Sequence, residues 1–265
     1  MHFLIRIGLV SAVIFCMAAG GLAPASSAEQ GTPNTTGARV PILVELFTSE
    51  GCSSCPPADA FLQKLDRQPL AGAEIVVLSE HVDYWNHIGW KDPYSARQYS
   101  DRQRTYANRF DLGSPYTPQM VVDGDKEFVG SDPELAKKAF DWALTAQKIT
   151  VRLSAISIDA GNTLHARIET GSVPSDAEVM VAIALSHAES QVLGGENGGR
   201  TLTHTAVVRT MVKAGMVRRG QSFAQDAQIR LEPGLTRDNL RLVAFVQQLH
   251  QGKVLGAAVR PVPAN

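Results

Sequence analysis

Cysteine is scarce in this 265-residue chain: there are three, Cys16, Cys52 and Cys55. So few thiols exclude a small fold stapled by a disulfide framework. Aromatic residues are thin at 6%, and neither sign of charge dominates, with 25 Lys and Arg against 26 Asp and Glu and a formal net charge of −1. A chain this close to neutral is not built to neutralise phosphates, which argues against a nucleic-acid partner. Collagen-like and low-complexity tracts are missing, since 22 Gly and 14 Pro are ordinary numbers for this length. With 44% hydrophobic and 19% charged residues, the chain has the apolar content to build a core rather than stay disordered.

The N-terminus carries the only long apolar run. Met1–Arg6 holds one positive charge, Ile7–Ala19 is apolar, and Ala23-Pro24-Ala25 and Ser26-Ser27-Ala28 are small residues. That order is the layout of a secretory signal peptide, with cleavage expected after Ala28 and a short linker over residues 29–38. The run is short for a membrane span and no later stretch is long enough to cross a bilayer, so a periplasmic or secreted protein without membrane insertion is expected. Cys16 leaves with the leader, and the mature chain keeps only Cys52 and Cys55, spaced C-x-x-C.

The surroundings of that pair place it at a strand-to-helix turn. Ile42–Phe47 reads as a buried strand, and Ala58, Phe61, Leu62 and Leu65 fall on one helical face. Pro56 and Pro57 follow the motif directly, so the helix is expected to start at the prolines. Glu74–Ser79 is a second strand. Gln119–Val122 and Glu127–Val129 flank Asp123-Gly124-Asp125, a hairpin whose turn tolerates positive φ. Ser131 with Glu134 makes a capping box for a helix marked by Leu135, Ala139 and Trp142.

Strand, C-x-x-C, helix, strand, insert, hairpin and helix in this order resemble the thioredoxin-like fold. The resemblance rests on the strand ending in Phe47, Cys52-Ser53-Ser54-Cys55 at the helix entry, Thr117-Pro118 before the third strand, and the terminal hairpin and helix. The wider run from Glu45 to Asp59, with Ser79–Trp85 and Glu196–Arg200, is similar to an uncharacterised family of exported bacterial thioredoxin-like proteins. The resemblance implies that Cys52 is the exposed nucleophile and Cys55 the more buried resolving thiol of a thiol-disulfide oxidoreductase. It further implies a cis Pro118 facing the cysteines, with the Thr117 backbone binding an extended substrate, and Glu45 as proton acceptor for the resolving thiol.

Rival readings of the pair are a merely structural bridge or a metal site. Two thiolates need further ligands, and neither a second C-x-x-C nor a His-x-x-x-His is present, so no metal is assigned. His81 with Asp83 or His87 is a weak metal pattern. No nicotinamide or flavin fingerprint occurs, so no cofactor is assigned and electrons are expected to come from another protein or a small thiol.

The insert over residues 80–116 concentrates aromatics and imidazoles between His81 and Trp90, followed by a helix over Ser95–Phe110. His81, Tyr84, Trp85 and Trp90 are candidates for the wall of a substrate groove. The competing reading makes at least two of the three aromatics the core of the insert. From Ile149 onward the texture alternates as strands: Ile149–Ile158, Thr163–Glu169, Glu178–Ser186, Arg200–Val212, Gln221–Leu231, Leu240–Leu249 and Val254–Val259. The expected architecture is therefore an α/β thioredoxin-like domain over 39–148 with a helical insert, then an antiparallel, sandwich-like β-rich domain over 149–265. The latter has no catalytic constellation, reads Gly194–Arg200 as a flexible loop, and is a candidate partner-binding or homo-oligomerising module. The alternative to catalysis is a binding module that uses the fold and its aromatic insert to hold a peptide or metal.

Overall fold

In the computed structural model, which describes residues 39–68 and 70–263, eleven strands and three α-helices are arranged around one large sheet. The leader and linker expected over residues 1–38 lie outside the described residues. β1 (Val40–Thr48), β2 (Ala73–His81), β3 (Gln119–Val122) and β4 (Lys126–Val129) form the N-terminal strands. α1 (Pro56–Arg67) crosses from β1 to β2, which pair in parallel, while β3 runs antiparallel to β1 and β4 to β3. Asp123 and Gly124 take φ of 50° and 62° in the β3–β4 turn, as its Asp-Gly sequence requires. α2 (Arg97–Arg109) lies in the insert and α3 (Pro133–Ala143) follows the hairpin. The N-cap of α3 is Asp132 rather than Ser131, because its carboxylate accepts from the N–H groups of Glu134 and Leu135.

The C-terminal half departs from a self-contained sandwich. β7 (Ala177–Gln191), β8 (Thr201–Val217), β10 (Leu240–Gln248) and β11 (Val254–Pro261) continue the N-terminal sheet in the order β11-β10-β7-β8-β2-β1-β3-β4. The junction is a parallel pairing of β2 with β8 at Ser79 and Val207. Only β5 (Val151–Ile158), β6 (Thr163–Thr170) and β9 (Ala224–Arg230) make a second, antiparallel sheet. That sheet packs Leu153, Leu164 and Ile168 on Val181, Ile183, Leu242 and Ala244 of the large one, so sandwich packing exists but one of its sheets is shared with the first half. The described residues fall in one compact unit. The physical reason lies in β2: its run Ile75-Val76-Val77-Leu78 is apolar on both faces, the pattern of an interior strand that needs neighbours on both edges. At the expected boundary, Lys148 is buried against Asp123 (2.8 Å) and donates to the Val254 carbonyl (2.7 Å), tying the halves together.

Strand alternation decides what each face carries. Ile42, Val44 and Leu46 of β1 and Val77 of β2 pack under α1 and α3, whereas Leu43, Val76 and Leu78 face the side covered by Tyr99 of α2. Glu45 and Glu80 also point to the α2 side. There Arg102 Nε donates to Glu45 Oε1 (2.6 Å), Tyr106 donates to Glu45 Oε2 (2.6 Å), and Arg102 lies 3.7 Å from Glu80. Burial, and next the charge of Glu45, hold the Glu80 carboxyl well above the usual carboxylate range.

A raised folded-state pKa stabilises the fold below the unfolded value, near 4.5 for Glu80, and that contribution is lost as pH rises. Glu80→Gln is therefore expected to gain stability relative to the parent as pH increases. Glu45→Gln, which strips Arg102 of its partner, should cost about 3–5 kcal/mol. Urea unfolding at pH 5, 7 and 8 checks both; a Glu80→Gln difference that does not change with pH would contradict the neutral carboxyl.

Candidate functional site

β1 ends at Thr48, and Ser49-Glu50-Gly51 leads into the cysteines. Cys52 and Cys55 are joined in a disulfide with Cα atoms 5.4 Å apart. Cys55 is the N-cap of α1, and Pro56 and Pro57 occupy the first helical positions, where proline's missing N–H costs nothing. The first available helix N–H groups, of Ala58 and Asp59, are both taken by the Cys55 carbonyl.

Both cysteines have no exposed surface, which corrects the expectation of an exposed Cys52. Residues 192–200, the β7–β8 connection, which the glycine-rich sequence marks only as a loop, strap the backbone of the motif by hydrogen bonds. Buried Asn197 donates from Nδ2 to the carbonyls of Glu50 and Cys52, both at 2.9 Å, and Arg200 donates to Asn197 Oδ1 (2.8 Å). Glu196 Oε2 accepts the Ser53 N–H at 2.9 Å. The strap passes so close to the insert that a side chain at Gly194 would collide with the Gly89 carbonyl oxygen. Ser53 and Ser54 stay exposed beside it.

Glu50 before the motif and Asp59 after it belong to a buried polar platform. Asp59, one helical turn after Cys55, accepts from the Thr48 hydroxyl (3.2 Å). His204 of β8 sits between two carboxylates, with Nε2 3.4 Å from Glu50 and Nδ1 3.8 Å from Asp59. Burial opposes its charge, but the two carboxylates of Asp59 and Glu50 beside the ring prevail and its pKa is pushed up to about 10. His81, at the end of β2, holds Asp92 at 2.7 Å and meets the His204 ring edge-on at 4.7 Å. Burial disfavours the Asp92 carboxylate, yet His81 and the N–H groups of Glu50 and Tyr94 outweigh that and hold Asp92 below its usual range. Trp90 Nε1 donates to the other Glu50 oxygen (2.7 Å).

The remaining expected residues fall as follows. The Thr117-Pro118 bond is cis, and Trp85 ties Thr117 to the motif: its Nε1 donates to Thr117 Oγ1 (2.8 Å) and its Cβ lies where a side chain on Gly51 would point. Glu45 is not a partner of Cys55. An odd position in β1 turns it away from α1, toward Arg102. His81 is fully buried and lines no groove. Tyr84 and Trp85 are half-buried and pack with Phe110 on Phe47, Val82, Tyr106 and Val121, so they are core residues of the insert. Among the described residues, no group of three or more His, Cys, Asp or Glu is arranged to hold a metal ion.

A family profile described as "Protein of unknown function (DUF1223)" matches residues 43–247, a span from β1 to β10 that includes the cysteines, platform and strap. The chain belongs to the DUF1223 family. Among solved structures it is similar to the protein AGR_C_4864 from Agrobacterium tumefaciens, a structural-genomics target, with 24% identity, TM-score 0.65, and coverage of 84% of this chain and 94% of that one. It is also similar to HBP35 of Porphyromonas gingivalis, with 14% identity, TM-score 0.63, and coverage of 84% and 76%. These likenesses concern the fold alone. No curated protein matches the chain.

Glu50, Asp59, Asp92, Glu196, Asn197 and His204 were not singled out from sequence. Two left a trace: Asp59 interrupts the apolar face of α1, and His204 shares an inward register with Leu202 and Ala206 of β8. The strap gives the first site prediction. Asn197→Ala removes three hydrogen bonds, of which the two to the Glu50 and Cys52 carbonyls hold the strap to the motif at about 1 kcal/mol each, so reduction of the disulfide by dithiothreitol, followed by thiol titration, should be about tenfold faster or more. A rate equal to the parent's would mean that the strap does not limit access.

Proposed function

We propose that this DUF1223 protein is an exported thiol-disulfide oxidoreductase of thioredoxin-like architecture, exchanging the Cys52–Cys55 bridge with protein or small-molecule thiols. The observation that carries the reading is a bridge spanning only two residues at the entry of α1, in a β1-α1-β2 unit followed by the β3-β4-α3 hairpin and helix. So short a loop constrains the unfolded chain little, which makes chemistry a better reason for the bridge than stability. Export is supported by the basic, apolar, small-residue order of the N-terminus, since disulfides persist in oxidising compartments.

In this reading a partner thiolate attacks Cys52 beside the exposed Ser53-Ser54 edge, and Cys55 leaves into the buried side. A second partner thiol then resolves the mixed disulfide. The partner must first displace Glu196 and Asn197, so the burial of the pair makes exchange selective rather than absent. Burial also favours a second reading, a sealed structural bridge in a binding module.

Trapping separates them. Cys55→Ser is expected to accumulate a mixed disulfide through Cys52, whose thiolate attacks a partner disulfide and releases one partner thiol, visible on non-reducing gels, while Cys52→Ser accumulates far less. The parent should equilibrate in glutathione redox buffers. A bridge that stays intact across those buffers, with no adduct in either variant, would leave the sealed-bridge reading standing.

A further inference from the structure

Both cysteines are without exposed surface, so cleavage of their bond releases a thiolate into buried surroundings. Desolvation makes a buried thiolate costly, so the leaving sulfur needs a proton from inside. The ionisable groups on each element around the pocket can be named. The segment before α1 brings Glu50, α1 brings Asp59, β2 brings His81, the insert brings Asp92 and Tyr94, and β8 brings His204. The carboxylates Glu50, Asp59 and Asp92 take hydrogen bonds as acceptors. His81 is committed to Asp92 at 2.7 Å, and Tyr94 donates to the Glu189 carbonyl. His204 has neither ring nitrogen in a hydrogen bond of good geometry, although it is almost fully buried and lies within 4 Å of both Glu50 and Asp59.

We propose that His204, held as an imidazolium between Glu50 and Asp59, is the proton donor to the sulfur of Cys55 when the bridge is cut, with Asp59 as the positioning group one helical turn from that cysteine. The inference rests on the oxidoreductase reading above. The thiolate of a dithiol partner attacks Cys52 Sγ, the S–S bond breaks, and its electron pair goes to Cys55 Sγ. The imidazolium proton of His204 passes to that sulfur, leaving a thiol and a neutral imidazole. The partner's second thiol then attacks its own sulfur in the mixed disulfide and gives its proton to Cys52. The partner ends as a disulfide, two electrons having moved to the cysteine pair, and His204 recovers its proton from solvent. Oxidation of the pair runs the same transfers backward.

The probe is a water-soluble phosphine, which cleaves disulfides without a thiol of its own to titrate, used on the full chain carrying Asn197→Ala so that strap opening does not limit the rate. Above the phosphine's own protonation, the rate should stay level and then fall as His204 loses its proton around pH 10. His204→Gln is expected to react at least tenfold more slowly at pH 8, within the range of general acid catalysis, and to lack the alkaline fall. Asp59→Asn, which removes one carboxylate from the imidazolium, should keep the fall but move it to lower pH, an effect that a purely structural role would not produce. If His204→Gln does not fold, the Asp59→Asn shift still decides. An unshifted fall in Asp59→Asn, or a parental rate in folded His204→Gln, would overturn the proposal. A shifted fall together with no Cys52 adduct in the trapping experiment would retain the proton donor and remove the oxidoreductase reading instead.

Discussion

One pairing organises this molecule: the parallel contact of β2 with β8 at Ser79 and Val207. It turns two sequence halves into one eight-stranded sheet, and it places residues more than a hundred positions downstream around the cysteine motif. β8 brings His204 under α1, and the chain entering β8 is the strap over Cys52. Without that contact the C-x-x-C turn would be an open edge of a small α/β unit. With it, the motif gains from the second half the His204 side chain between Glu50 and Asp59 and the hydrogen bonds of Glu196 and Asn197 to its backbone.

Such an arrangement carries a large electrostatic burden. Charges removed from water cost several kcal/mol each unless they are paired, and this sheet buries them on both faces. On the α2 side Arg102 neutralises Glu45, and burial with the charge of Glu45 pushes Glu80 toward its uncharged form. On the α1 side His204 sits between Glu50 and Asp59, and His81 satisfies Asp92. Hydrophobic residues of similar volume would stabilise the α1 side at least as well. Keeping three carboxylates and two imidazoles in the segments that flank the cysteine pair therefore accords with the proton chemistry proposed for it better than with stability. The α2 cluster, remote from the cysteines and satisfied by Arg102, Tyr106 and Gln247, reads as architecture.

Local chemistry made much of this legible in the sequence. The buried run of β1, the helical spacing of Ala58, Phe61, Leu62 and Leu65, the Asp-Gly turn and the prolines at the start of α1 each express a short-range rule, and each element formed where its residues put it. Long-range pairing was not written locally. The strands after Ile149 alternate cleanly, but alternation does not name the neighbour across the sheet. The sign lay in β2, whose two-sided apolar run demanded a strand on its free edge. Glu45 went wrong for a related reason: its position relative to the motif is suggestive, yet in a strand the parity of a position decides the face, and Leu46 rather than Glu45 shares the side of α1.

The strap and the platform also constrain one another. Asn197 bonds the Glu50 carbonyl as well as that of Cys52, and Glu50 is the residue whose carboxylate meets His204. In the exchange proposed above, a partner that lifts the strap would therefore release the backbone at one wall of the imidazole's cage together with that of Cys52. Water admitted at that moment lowers the cost of a thiolate and weakens the pull of the carboxylates on His204, easing the proton off the ring as the bond to be broken comes within reach. Access and acidity are thus properties of one segment, Glu50–Cys55, seen from its two sides.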